Sequence, residues 1–197
     1  IFEALTYGEL KQLSIGGADE DGIYPKHSDE VLAHLNMAMI SLYSKFPLQE
    51  RELILRTNID QTKYLLTSAN AISQDPSGYI VDTVDDPFTD DILRINAVFD
   101  QMGHEVSIND EHTFNSVFLP TYNTVQIPYT TGLEDYYFIY RVKPPKVEVP
   151  SGSTPSDVEV AIPEILLEPL LTYISARAHN ARGGDKGKQE GAFAMQQ

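Results

Sequence analysis

The sequence predicts an α+β fold in which helices from both ends of the chain form a helical bundle and a mostly antiparallel β region is inserted between them. Near both ends, apolar residues recur every three or four positions, which is typical of amphipathic helices. In the middle the period falls to two, and Tyr, Val, Ile, Phe and Thr become frequent, as in half-buried strands. Residues 1–48 and 162–197 are therefore assigned to a helical bundle domain, and residues 49–161 to a β-rich inserted region.

The N-terminal part is predicted to hold two helices. Thr6 and Glu9 have the spacing of a capping box, and a short helix over residues 7–13 follows. Ser28 is the expected N-cap of a longer helix that ends at Pro47. This helix has enough apolar surface to pack against the C-terminal helix. Its apolar stripe consists of Val31, Leu32, Leu35, Ala38, Met39, Leu42 and Phe46.

The central region contains a series of short predicted strands. Residues 51–57 and 62–67 alternate polar and apolar positions and are predicted to form a hairpin or two adjacent strands. A second hairpin is predicted around Gly103. Four prolines and a Ser-Gly-Ser segment then indicate an extended, Pro-rich linker over residues 143–161. The other predicted strands cover residues 79–84, 91–100, 105–108, 115–119, 124–128 and 136–142.

The closing helix of the predicted bundle starts near Ile162. Pro163 suits the first helical position, where the missing N–H costs nothing, and the Gly-Gly pair at residues 183–184 provides the stop. Pro169 predicts either a kink or a later helix start near Leu166. The polar tail after the glycines cannot build a core of its own, so we expect it to contact a partner.

Composition limits the chemistry that the chain can perform. The net charge of −15 argues against a nucleic-acid reader, which needs a basic patch. The absence of cysteine excludes disulfides, thiol catalysis and Cys-based metal sites. No apolar run approaches the roughly 18 residues of a membrane span. The first residues lack the basic and apolar regions of a signal peptide, so none is expected.

The motifs that resemble chemical sites are incomplete. Residues 17–28 lack carboxylates at the first and last positions of a calcium-binding EF-hand loop. Residues 183–188 are rich in glycine, but they follow a helix and lack the hydroxyl that a phosphate-binding loop needs after Gly-Lys. The histidines have no metal-ligand spacing. We therefore predict no catalytic residue, no cofactor and no metal ion. The acidic group at residues 82–91 leaves weak divalent-cation binding open beside the commoner role of a solvated loop.

Two stretches resemble phage head-to-tail connector proteins, also called adaptors, of the tail tubular protein A kind. The first is the predicted helix over residues 29–46, which is followed at once by strands. The second opens with Ile-Pro-Glu at residues 162–164 and closes with Gly-Gly-Asp at residues 183–185. The positions that carry the resemblance are Leu32, Leu35, Asn36, Ile40, Leu42 and Phe46 in the first stretch, and Leu170, Tyr173, Ile174, Ala176 and Arg177 in the second.

The resemblance implies a structural virion protein without enzymatic activity, assembled in the host cytoplasm. It implies a homo-oligomeric ring, a dodecamer, that joins the portal protein to a distal nozzle or tail-tube protein and continues the DNA ejection channel. Genomic DNA passes without specific binding, no membrane is involved, and the β region is expected to offer exposed strand edges to partners. The implied portal-docking residues are Arg177, Arg182, Gly183, Gly184, Lys186, Lys188 and Phe193. The implied tail-facing residues are Tyr122, Tyr129 and Tyr136.

Three further hypotheses stay open at this point. An acidic protein suits a DNA conduit, because a lumen lined by Asp and Glu would not hold phosphates. As an alternative to a connector, the chain could be another tail or baseplate module that binds protein through its Tyr-rich β region. A weaker alternative is a metal-dependent hydrolase built on the acidic group at residues 82–91.

Overall fold

The computed structural model describes residues 2–6, 24–129, 132–149 and 158–181. Within these residues the chain forms two α-helices and nine strands. The helices are α1, Tyr24–Lys45, and α2, Leu167–Ala181. Single 3₁₀ turns cover Ser68–Asn70 and Glu164–Leu166. The strands are β1 Phe2–Thr6, β2 Glu50–Arg56, β3 Lys63–Leu65, β4 Ile80–Val81, β5 Ile92–Phe99, β6 Phe118–Thr121, β7 Thr124–Gln126, β8 Asp135–Val142 and β9 Glu159–Pro163.

The prediction of a helical bundle is wrong, because the chain is richer in β-structure than its periodicity indicated. The first described segment is a strand rather than part of a bundle: β1 pairs antiparallel with β9, which precedes the C-terminal helix, from Phe2 opposite Pro163 to Thr6 opposite Glu159. Each strand has five residues, which is too few for a period of two to stand out beside longer helical patterns. The short helix predicted over residues 7–13 lies outside the described residues.

The two helices differ from their predicted limits in opposite ways. α1 begins at Tyr24, before the expected N-cap Ser28, and ends just before Pro47 as predicted. α2 begins at Leu167 rather than near Ile162, which confirms the later start that Pro169 indicated. Pro169 lies in the first turn of α2, where backbone N–H groups have no acceptor within the helix, so its missing N–H loses no bond.

The described chain divides into two compact units. One, the terminal unit, combines Ile1–Leu42 with Pro144–Gln197, and the other, the inserted unit, is Tyr43–Lys143. The terminal unit includes the described part of the segment predicted as a linker, residues 144–149 and 158–161. Its buried apolar side chains come from both helices and from β9, and they include Leu35, Leu42, Val160, Ile162, Leu170 and Ile174.

The inserted unit contains two antiparallel sheets. The larger has the strand order β4-β2-β8-β5 and the smaller has the order β3-β7-β6. β2 pairs with β4 and β8, whereas β3 pairs with β7, so the hairpin predicted for residues 51–57 and 62–67 is wrong although both strands exist. Residues 105–108, predicted as a strand, form isolated bridges to Phe99 and Val117 instead. Pro120 lies inside β6 rather than in a connection, and the pairing of β6 with β7 is irregular there because proline has no N–H to donate.

The core of the inserted unit lies on one face of the larger sheet. Alternate residues of β8 are buried, as a period of two requires when only one face packs. Both sheets contribute to the same apolar cluster, so the two sheets pack on each other within this unit. The cluster includes Leu53, Leu55, Tyr64, Leu66, Ile80, Ile95, Val98, Val117, Val125, Ile127, Phe138 and Tyr140.

Candidate interaction surface

An exposed pair of stacked aromatic rings marks the surface of the inserted unit. The rings of Phe114 and Tyr129 lie 4.3 Å apart at their centroids, with an angle of 19° between their planes. Phe114 is 70% exposed and Tyr129 is 57% exposed, so the pair is only partly protected from water. We call these two residues the aromatic platform. Large rigid rings of this kind provide much of the binding energy where proteins meet.

A short internally bonded loop, residues 107–117, presents Phe114. The Asp110 carboxylate accepts hydrogen bonds from the Thr113 hydroxyl at 2.5 Å and from the His112 N–H at 2.9 Å. The buried Ser116 hydroxyl bonds the Ser107 carbonyl at 3.0 Å and the Asp110 N–H at 2.9 Å. The bond from Thr113 and the bond from His112 hold the pKa of Asp110 below its usual value. The platform is therefore held in place before any partner binds, which lowers the entropic cost of association.

The sequence predicted Tyr129 as a tail-facing residue but missed Phe114. Phe114 lies in a polar turn between Thr113 and Asn115, where a period of two or of 3.6 gives no signal. A lone large aromatic residue in such a polar turn is the signal that could have found it. Only the fold shows that residue 114 meets residue 129, because these residues belong to different loops.

The other two tyrosines predicted to face the tail lie in different surroundings. Tyr122 is 67% exposed at the turn between β6 and β7 and lines a separate groove beside β5. Tyr136 is half-buried on β8 and packs against the core cluster. Burial, together with the neighbouring Glu134 carboxylate, raises the pKa of Tyr136 to about 12. Tyr122 and Tyr129 thus offer exposed rings to a partner, whereas Tyr136 mainly supports the fold.

Of the residues predicted to dock on the portal, Arg177 is the one that the structure describes. It is exposed on α2, and its guanidinium lies 5.3 Å from the ring centroid of Tyr173, one turn earlier. The same group donates to the Tyr173 hydroxyl at 3.1 Å. This cation–π contact orients the arginine along the helix. Arg182, Gly183, Gly184, Lys186, Lys188 and Phe193 lie outside the described residues.

A second exposed apolar surface lies on α1. Ala33, Met37 and Ile40 follow one another at spacings of four and three, so they share one face of the helix. Met37 is 47% exposed and Ile40 is 42% exposed, whereas Leu35 and Leu42 on the other side are buried. We call Ala33, Met37 and Ile40 the α1 stripe. It gives the terminal unit an apolar contact surface of its own.

The acidic group at residues 82–91 mainly stabilises loops. The Asp82 carboxylate accepts bonds from the Ser73 N–H at 2.8 Å, the Ser73 hydroxyl at 2.6 Å and the Phe88 N–H at 2.9 Å. Asp90 binds the Ser68 N–H at 2.6 Å and the Ser68 hydroxyl at 2.7 Å. These oxygens are thus occupied by donors of the chain itself.

Two more carboxylates of this group form an ion-pair network with Arg51. Its guanidinium contacts Asp86 and lies 3.2 Å from the Asp91 carboxylate. The Tyr140 hydroxyl donates to Asp91 at 2.9 Å, and burial with the Asp91 charge raises the pKa of Tyr140. Within the described residues, no group of three or more His, Asp or Glu side chains is placed to hold a metal ion.

Several strand edges of the inserted unit are closed by side chains, which differs from the expectation of freely exposed edges. On β3, the Tyr79 hydroxyl bonds both the N–H and the carbonyl of Leu65, each at 2.9 Å. Beside β6, the Asn109 side-chain oxygen accepts the Leu119 N–H at 2.8 Å. Such capping protects sheet edges from unwanted pairing. A partner strand could therefore pair only with edges that lack such side-chain bonds.

No protein-family model matches the chain, and no curated protein matches it. No helix in the described part of the chain is long and apolar enough to cross a membrane.

Proposed function

We propose that the protein is a structural subunit of a phage head-to-tail connector that joins a portal protein to a distal tail protein by direct contact. The observation that carries the proposal is the aromatic platform: Phe114 is exposed on the internally bonded loop of residues 107–117, and its ring stacks on that of Tyr129 from another loop of the inserted unit. A connector needs a second surface for its other neighbours. The terminal unit offers two exposed features that could take this role, the α1 stripe and Arg177 on α2.

The charge of the chain supports a role in which the protein surrounds DNA without binding it. Twenty-nine acidic residues and 14 basic residues give a net charge of −15. A protein that neutralises phosphates gains affinity by releasing counterions, and this chain has the opposite charge balance. In the proposed connector, subunits assemble into a ring, a dodecamer in the family it resembles, and the genome passes through without specific binding.

Electron microscopy of the purified protein, alone and mixed with portal protein, tests the proposal. We expect rings in one or both samples, and we expect the Phe114→Ala variant to keep them while losing affinity for the distal tail protein. Removal of an aromatic side chain that becomes buried in a complex costs about 2 kcal/mol of binding free energy, or roughly 30-fold in affinity. Val84→Ala is the matched control, because Val84 is also exposed but belongs to another loop. A strictly monomeric protein that does not bind portal would contradict the proposal.

The aromatic platform equally favours a second candidate, a tail or baseplate module that binds protein through its β region alone. Deletion of residues 183–197 separates the two functions. In a connector this deletion removes portal binding and leaves binding of the distal tail protein unchanged. If portal binding persists after the deletion but is lost in Phe114→Ala, the inserted unit carries the essential contacts and the second candidate is favoured.

A further inference from the structure

One stretch of strand edge in the inserted unit stays open. β5 is an edge strand of the larger sheet, and its last residues are covered because Val106 donates its N–H to the Val98 carbonyl at 2.8 Å. At residues 93–96, no other described segment forms backbone hydrogen bonds with its outer side. This part of β5 faces a groove of about 390 Å³ whose opposite wall includes Leu119 and Tyr122.

Arg94 lies in this part of β5 and has no ion-pair partner among the described residues. It is opposite Arg141 on β8, between two register shifts that leave Leu93 and Asn96 without a paired residue, and like charges that lie opposite each other repel. Arg141 donates to the Ser44 carbonyl in the last turn of α1, so it has a structural role. Arg94 is exposed and forms no ion pair with any described residue, in a chain with about twice as many acidic as basic residues. This arrangement favours an anionic partner from outside the subunit.

The terminal unit carries a strand of complementary charge that has one strand neighbour among the described residues. β9 belongs to a two-stranded sheet, so its side away from β1 has no strand partner among the described residues. Glu159 at the start of β9 is exposed and forms no ion pair in the described part of the chain. Val160 and Ile162 are buried in their own subunit, which holds the strand in an extended form. β9 can therefore offer extended backbone for hydrogen bonds with β5 and a negative charge for Arg94.

We propose that β9 of one copy adds to the outer edge of β5 of the next copy, with Glu159 beside Arg94. This inference rests on the proposed connector function and names the contact that would build its ring. Backbone hydrogen bonds supply affinity in such strand addition, and the opposite charges fix the register. The two edges belong to different surfaces, so the contact is head-to-tail and repeats from copy to copy until a ring closes.

Disulfide cross-linking tests this pairing directly, because the chain contains no cysteine. Side chains directly opposite on paired strands have Cβ atoms about 4.5–5.5 Å apart, close to the separation that a disulfide needs. When Arg94→Cys and Glu159→Cys proteins are mixed under oxidising conditions, we expect covalent dimers, and the double variant should give a ladder of larger species. Lys63→Cys with Glu159→Cys is the control, because Lys63 lies on β3, whose edge Tyr79 closes.

A charge exchange provides the second measurement, with sedimentation velocity as the readout. Arg94→Glu and Glu159→Arg should each weaken self-association about tenfold or more, and the two changes together should restore it. Lys63→Glu makes the same charge change on the capped strand and should have little effect. A double variant that associates no better than either single variant overturns the pairing.

The outcomes separate this inference from the proposed function. Rings that form without the cross-link between residues 94 and 159 overturn the strand pairing and leave the connector function standing. A specific cross-link in a protein that never binds portal supports the pairing and counts against the connector. Absence of the cross-link in every sample overturns the pairing whether or not rings are seen.

Discussion

The side chain of Asn36 binds both backbone groups of Val147. Its amide oxygen accepts the Val147 N–H at 2.8 Å, and its amide nitrogen donates to the Val147 carbonyl at 3.0 Å. The same nitrogen bonds the Leu32 carbonyl one turn earlier on α1. The Asn36 side chain thereby forms the two backbone hydrogen bonds with Val147 that a neighbouring strand would otherwise form. It attaches the segment around residue 147 to α1 within the terminal unit. An ordinary helical pattern thus contains one position whose role depends on a residue far along the chain.

The contact between Asn36 and Val147 should contribute measurably to stability. We expect Asn36→Ala to lower the free energy of unfolding by about 1–3 kcal/mol, because it leaves the half-buried backbone groups of Val147 without partners. Urea denaturation followed by circular dichroism measures this change. Met37→Ala, on the exposed side of the same helix, should change the stability by less than about 0.5 kcal/mol. Equal effects of the two substitutions would show that the contact adds nothing.

Gly78 should be intolerant of any side chain. A Cβ atom at this position would lie 2.5 Å from the Asn70 carbonyl oxygen and 2.9 Å from the Ala71 carbonyl carbon, both backbone atoms that cannot move independently. We expect Gly78→Ala to destabilise the protein by about 1–3 kcal/mol, as overpacking does. Gly132→Ala is the matched control, since a Cβ there meets nothing within 4 Å. Thermal unfolding of the two variants should differ clearly, and coincident melting curves would contradict the close approach.

Acid should remove the stabilisation that Asp82 provides. Burial raises the pKa of Asp82, but the hydrogen bonds from Ser73 and Phe88 outweigh burial and hold it below the ordinary value of 3.8. A carboxyl group with a lower pKa in the folded than in the unfolded state stabilises the fold above the unfolded pKa. That contribution is lost as the pH falls below about 4 toward the folded pKa.

Asp82→Asn tests this pH dependence. The Asn variant should be about 1–2 kcal/mol less stable than the wild type at pH 7. The three donors now bind two charged carboxylate oxygens, whereas an amide has a single, uncharged oxygen and an NH₂ group that cannot accept. The difference between the two proteins should shrink as the pH falls from 5 to 3. Asp85→Asn, in the same loop, is the control, and its effect should be small at every pH. A difference between wild type and Asp82→Asn that stays constant with pH would contradict the role assigned to the carboxylate.

Much of the local structure could be predicted from the sequence. Strands β2 and β8 overlap the strands predicted for residues 51–57 and 136–142, and α1 ends just before Pro47 as predicted. The strands β1 and β9 could not be found in this way, because a strand is stabilised by a partner distant in sequence and five residues give little periodic signal. Without these two strands the sequence predicts a helical bundle that includes Ile162 and Pro163, which lie in β9 instead.

The candidate surfaces were predictable only in part. The rings of Tyr122 and Tyr129 are exposed, whereas Tyr136 packs against the core, and the sequence alone does not separate these three tyrosines. For Phe114 the sequence offers only a lone large aromatic residue in a polar turn, and for Arg94 it offers no signal that separates this residue from ordinary surface residues. Their significance comes from what surrounds them in space: a second ring for Phe114, and a like charge with an open strand edge for Arg94.

The sequence by itself determined the chemistry that the chain has available. Its charge of −15, its lack of cysteine and its incomplete motifs are fixed by composition and spacing, and no fold can change them. The tertiary structure decided which strands pair, including β1 with β9, and which side chains are exposed in the described part of the chain. These features depend on contacts between residues far apart in the chain, and hydrophobic periodicity carries information only about near neighbours.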